Sequence, residues 1–161
     1  MNWDELYAMQ KELDDYIKDN HQLEGHHLDN EKILALLVEL GELANETRCF
    51  KFWSNKPPSP KSVVQEEYVD GIHFLMSIGI DQGYRYQPTT IQSPANDLTT
   101  QFNHVFSICT LFNQQPKPDL YQQLFVAYLE LGKLLEIGEA DIYEAYMAKN
   151  KTNYSRQDQG Y

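Results

Sequence analysis

The chain has 161 residues, 42% hydrophobic and 23% charged, with a formal net charge of −11 at pH 7. That length suits one domain with one sizeable core, and the acidic balance excludes a duplex-binding protein, which needs cations facing the phosphates. No apolar run approaches the length of a membrane span, the Met1 end has no basic-then-apolar leader, and Cys49 and Cys109 form no CxxC pair, so a cytoplasmic location is the default expectation.

The first predicted helix runs from about Asn2 to Asp19, where Trp3, Leu6, Leu13 and Ile17 mark a stripe at helical spacing. Asn20 to Leu28, with Gly25 and three of the five histidines, reads as a loop. Asp29 or Asn30 caps a second helix to about Glu46, with Ile33, Leu36, Leu37, Leu40, Leu43 and Ala44 on its apolar face. Pro57, Pro58 and Pro60 break the chain after it. Ser59 as cap with Pro60 at the first helical position predicts a third helix to about Asp81. Gly83 to Asn96, with Pro88 and Pro94, is another loop. Further helices are predicted over about Asp97–Phe112, Asp119–Glu136 and Glu139–Lys149, followed by a polar tail to Tyr161. No strand alternation and no repeat interrupts this pattern, so the fold class is all-α, a bundle of about six helices.

Two acid pairs stand out. Glu39 and Glu42 on the second helix, and Glu67 and Asp70 on the third, are spaced i, i+3 and so share a helix face. Two such pairs on adjacent antiparallel helices can converge into a cage of hard oxygen ligands, which Mg²⁺ prefers. Taken alone, helix two favours a plainer reading, because Glu31, Glu39, Glu42 and Glu46 fall together opposite its apolar stripe, as a solvated face does. Helix three changes the balance. Its apolar residues point nearly all round, so it is expected to be buried, and Glu67 and Asp70 fall among Val63, Phe74 and Ile78. Acids there are costly unless paired or metal-bound, and few cations lie along this helix. His73 follows Asp70 at i+3, which raises a di-iron bundle as a rival, but that site needs two Glu-x-x-His helices and this chain offers one approximate copy.

In the tail, Lys149, Lys151 and Arg156 gather positive charge, with Asn150, Asn153 and Gln157 as neutral donors. A frayed polar terminus and a flap closing on polyphosphate fit that composition equally well.

The segments Glu39-Leu-Gly-Glu42-Leu-Ala-Asn45-Glu46, Arg48-Cys-Phe-Lys51-Phe-Trp53-Ser54 and Glu66-Glu67-Tyr-Val-Asp70-Gly-Ile-His73-Phe74, with the tail from Lys149 to Tyr161, resemble the dimeric all-α dUTPases of the all-α NTP pyrophosphatase superfamily. The blocks occur in order over nearly the whole chain. The paired acids belong to the wider superfamily; the other blocks point to dUTP. The resemblance implies one domain over residues 1–161, with 150–161 as a phosphate-binding tail. It implies hydrolysis of dUTP, and of dUDP, to dUMP in a homodimer, with water attacking the α-phosphorus. Glu39, Glu42, Glu67 and Asp70 would hold two or more Mg²⁺ ions, with Mn²⁺ as a substitute, and Glu39 would activate the water. Lys149, Asn153 and Arg156 would bind phosphate. Gln10, Trp53, His73 and Phe74 would line the uracil and deoxyribose pocket, with the His73-Phe74 floor excluding a ribose 2′-hydroxyl. Phe102, Phe106, Phe112, Phe125 and Tyr128 are dimer-interface candidates, although core packing is the better prior for each. Some relatives also bind regulatory proteins, for which no segment here can be assigned. The rivals are the same fold acting on dCTP or many nucleotides, and a non-catalytic helical interaction module.

Overall fold

A computed structural model describes residues 1–91 and 97–161. The described residues form six helices and no strand: α1 (Trp3–Asn20), α2 (Asp29–Thr47), α3 (Lys61–Gln82), α4 (Leu98–Gln114), α5 (Pro118–Leu134) and α6 (Glu139–Asp158). The predicted loop from Gly83 is present as far as Ile91; its end, including Pro94, lies outside the described residues. Among the described residues no helix is long and apolar enough to cross a membrane.

Local chemistry sets most of these limits. The Asn2 side chain accepts from the Glu5 N–H to start α1, and Asp97 accepts from the Thr100 N–H to start α4. Pro118 opens α5, where its missing N–H costs nothing. Gly83 closes α3 at φ 73°, in the left-handed region that suits a residue without a Cβ. Two predicted caps are corrected. Asp29 is already helical and Leu28 precedes it without a side-chain cap. Pro60, not Ser59, flanks α3, because Ser59 is bonded back to α2 through its amide, to the Glu46 carbonyl, and its hydroxyl, to the Glu46 carboxylate.

The larger correction concerns the tail. Residues 150–158 continue α6 rather than forming an irregular segment. Composition hid this, because the stretch is nearly all polar. Ile142, Tyr146 and Asn150 nevertheless form a buried line at i, i+4, i+8. Beyond it the helix is clasped to α1: the Tyr16 and Tyr154 rings lie 5.1 Å apart, Tyr16 donates to Asp158 at 2.5 Å, and His21 meets Gln157 at 2.9 Å.

Helix α3 is the centre of the bundle and touches α1, α2, α5 and α6, as its all-round apolar sequence requires. Its junction with α5 is a reciprocal tyrosine lock. Tyr68 donates to the Tyr128 carbonyl at 3.1 Å, Tyr128 donates to the Tyr68 carbonyl at 2.8 Å, and their fully buried rings stack 4.8 Å apart. Glycines opposite each phenol make room. A Cβ on Gly71 would stand 2.0 Å from the Tyr128 hydroxyl, and one on Gly132 2.4 Å from that of Tyr68. Gly71→Ala would gain about 0.5–1 kcal/mol of helix propensity. It would also drive a rigid, hydrogen-bonded ring from its site, which costs about 1–3 kcal/mol. Urea denaturation is therefore expected to show a lower midpoint for Gly71→Ala; a raised midpoint would contradict the lock.

Candidate active site

Glu39 on α2 and Glu67 and Asp70 on α3 each bring a carboxylate oxygen within 4.8 Å of the others. All three side chains are only partly exposed, and Glu39 Oε2 is buried without a hydrogen-bond partner. The expectation from helix two alone, a solvated acidic face, therefore fails for Glu39. Glu42 is exposed and lies outside this cluster, though its charge is felt by both Glu39 and Glu67.

Crowding like charges in a half-buried site disfavours ionisation. Burial, then the charges of Asp70, Glu42 and Glu67, push Glu39 up to about 7. Glu67 is raised by burial and by Asp70 and Glu42. Asp70 is raised by burial, against the pull of Lys149. Lys149 corrects one expectation: Asp70 does have a cation partner, supplied by α6 rather than α3. Its Nζ lies 2.6 Å from Asp70 and 3.0 Å from Glu66. One ammonium does not satisfy three acids, and the orphaned Glu39 oxygen shows the deficit. An all-oxygen cluster of this kind fits a hard divalent cation.

Beside the cluster lies a cavity of about 180 Å³ lined by Gln10, Leu13, Asp14, Ile17, Glu39, Asp70, His73, Phe74, Ser77, Lys149, Asn153 and Arg156. Glu39 and Asp70 thus belong to both cluster and cavity. Lys149, Asn153 and Arg156, at i, i+4, i+7, present one face of α6 to it. A larger groove of about 400 Å³ opens between α3 and α6, but Glu66, Asp141 and Glu144 in its lining make it unfit for a polyanion.

Gln10 and His73 form the neutral end of the cavity. His73 Nδ1 lies 2.7 Å from Gln10 Oε1, Tyr146 donates to the same oxygen at 3.0 Å, and the His73 ring stacks on Tyr146 at 4.2 Å. Burial holds His73 down to about 3, so its ring is neutral at physiological pH. It takes no part in the carboxylate cluster, and His104 is exposed on α4, so nothing among the described residues supports a di-iron site.

Trp53 is not in the cavity. The segment 48–56 turns outward, pinned by Arg48 to Ser54 Oγ at 2.7 Å and to the Lys56 carbonyl at 3.1 Å. Trp53 stands 64% exposed against Phe52 and Phe50. Four lining residues were not foreseen: Leu13, Asp14, Ile17 and Ser77. Leu13 and Ile17 sit on the recognised stripe of α1. Asp14 and Ser77 could have been found one turn beyond Gln10 and His73.

A dUTPase family model matches residues 2–161. The chain belongs to the all-α dUTPase family. It is accordingly a dUTP diphosphatase, a hydrolase, and the match spans every helix described above. A search of curated proteins found no match.

The raised Glu39 gives a signed prediction for this dUTPase. Its proton is held more tightly in the folded chain, so folding binds protons between the ordinary value of 4.5 and about 7, and stability falls as pH rises through that window. In chelator-treated protein, the thermal midpoint is expected to drop between about pH 5 and 7.5, and Glu39→Gln to flatten the drop. A wild-type midpoint that rises over this range would contradict the crowding.

Proposed function

We propose that the enzyme converts dUTP and dUDP to dUMP by water attack at the α-phosphorus, with Mg²⁺ held by Glu39, Glu42, Glu67 and Asp70. The observation that carries this reading is that the acidic cluster and the small cavity share Glu39 and Asp70. A ligand seated in the cavity by its base therefore has its phosphates beside the acids. At about 180 Å³ the cavity is small among ligand pockets, which suits a one-ring base.

Bound Mg²⁺ supplies charge neutralisation along the triphosphate and lowers the pKa of water; Mn²⁺ offers the same chemistry. The chain's own residues do the rest. Glu39 accepts the proton of the attacking water. A new oxygen–phosphorus bond forms at the α-phosphorus as the bridge to the β-phosphate breaks, and pyrophosphate leaves from dUTP. Lys149, Asn153 and Arg156, on one face of α6, bind phosphate oxygens as point charge, amide and guanidinium fork. Gln10 and His73 meet the polar edge of the nucleoside, and Phe74 supports its ring and closes the space beside the sugar.

The working form we propose is a homodimer in the cytoplasm. Leu34 and Val38 on α2 and Leu111 on α4 are 63%, 48% and 41% exposed, on helices that pack side by side. They replace the interface candidates of the sequence reading. Phe102, Phe112, Phe125 and Tyr128 are buried in the chain's own core, and Phe106 packs against it.

Turnover of dUTP, dCTP, dTTP and UTP tests the base assignment: dUTP is expected to be preferred, and preferential hydrolysis of dCTP would sink it. Glu39→Gln is expected to lower kcat on the order of 100-fold or more with a smaller change in KM. Unchanged kcat would remove Glu39 from the chemistry.

A further inference from the structure

The neutral end of the cavity contains a chain of hydrogen bonds that reaches beyond the residues assigned above. It begins at Asp14 on α1, a carboxylate only 8% exposed. Asp14 Oδ2 accepts from Ser77 Oγ at 2.6 Å and faces Lys32 Nζ at 3.6 Å. Its other oxygen, Oδ1, accepts from Gln10 Nε2 at 2.8 Å. Gln10 Oε1 then faces His73 Nδ1 and the Tyr146 hydroxyl.

The order of donors along this chain is forced. Asp14 accepts from Ser77 Oγ and faces the Lys32 ammonium, so it presents an acceptor to Gln10, and it is the NH₂ of the amide and not its oxygen that fits there. The reversed amide would set Oε1 against a carboxylate in a buried site and leave both without a proton between them. With the amide oriented, its oxygen faces His73 Nδ1, and that nitrogen must carry the hydrogen. A neutral imidazole has one N–H, so His73 Nε2 is bare. It is buried, has no partner in the protein, and belongs to a side chain that lines the cavity. A buried acceptor without a donor is costly until a ligand supplies one.

We propose that Asp14 is a positioning residue for substrate reading: by fixing the Gln10 amide it fixes the His73 tautomer, so that Nε2 accepts from an N–H or O–H of the nucleoside. The inference rests on the nucleotide reading of this cavity. A deoxyuridine nucleotide has two donors of the required kind, the imide N3–H of the base and the 3′-hydroxyl of the sugar. Either would complete the chain from Ser77 and Lys32 through Asp14, Gln10 and His73 to the ligand. A cytosine ring has no hydrogen on N3, so if the imide is the donor, Asp14 contributes to choosing uracil without touching it.

The test joins a spectroscopic readout to a kinetic one. Long-range ¹H–¹⁵N correlation spectra of the histidine rings at neutral pH should show His73 protonated on Nδ1 and bare on Nε2 in the wild type. Asp14→Asn, whose amide can both donate and accept, should lose or mix that pattern. An Nε2–H form in the wild-type spectrum would overturn the proposal without any variant, so the test survives a variant that fails to fold. In kinetics, wild-type enzyme is compared on dUTP, its N3-methyl analogue and its 3′-O-methyl analogue. The analogue missing the contacted donor should lose about tenfold or more in kcat/KM, and Asp14→Asn should narrow that gap, chiefly through KM for dUTP. Which analogue shows the gap identifies the donor. Equal turnover of all three substrates, or an Asp14→Asn enzyme that keeps both tautomer and gap, would overturn it. Failure to hydrolyse dUTP at all would strike the nucleotide reading and the substrate half of this inference, while the wild-type spectrum would still decide the tautomer.

Discussion

Three carboxylates held close together in a half-buried site repel one another, and the rest of the molecule is arranged around that repulsion. Glu39 comes from α2 and Glu67 and Asp70 from α3, the helix with most neighbours in the bundle. Because α3 is buried all round and locked to α5 through Tyr68 and Tyr128, its acids cannot swing away into water. Lys149 offsets part of the charge from α6. The remainder shows in the unpartnered oxygen of Glu39, whose carboxyl is pushed up by burial and the neighbouring acids. A site of this kind costs stability while empty of cations and recovers it on binding them.

The other end of the same cavity works by opposite means. Around Gln10, His73 and Tyr146 neutral groups stand in a fixed order of donors and acceptors, anchored on the Asp14 carboxylate and its Lys32 partner. The charged end is suited to phosphates and the neutral end to a base and sugar. Helix α6 serves both, through Tyr146, which donates to Gln10, and through Lys149, Asn153 and Arg156, which line the cavity.

How much of this was legible in the sequence depended on whether a residue's neighbours were local. The six helices could be read because their apolar stripes are periodic along the chain. The burial of Glu67 and Asp70 could be read because α3 is apolar on every side. Glu39 could be read into the metal cage only through its partners on helix three and the family motif, since on its own helix it lies with exposed acids. The second half of α6 was missed because its burial is carried by tyrosine and asparagine rather than aliphatic residues, although 149, 153 and 156 already had helical spacing. Asp14 was missed because its partners, Ser77 and Lys32, lie on other helices. Trp53 was assigned to the pocket from its motif, and motifs do not reveal which way a loop turns.

The proposed Mg²⁺ site requires that the acidic cluster bind a divalent cation and that Glu39 give up a proton to do so. Isothermal titration of Mg²⁺ into the protein near pH 6.5, repeated in buffers of different ionisation heat, measures both binding and proton release. The account predicts saturable binding with net proton release in the wild type. That release should be lost in Glu39→Gln, and binding should weaken sharply when Glu67→Gln and Asp70→Asn are combined. Wild-type protein that takes up no Mg²⁺, or a double variant that binds it as well as the wild type, would contradict the account.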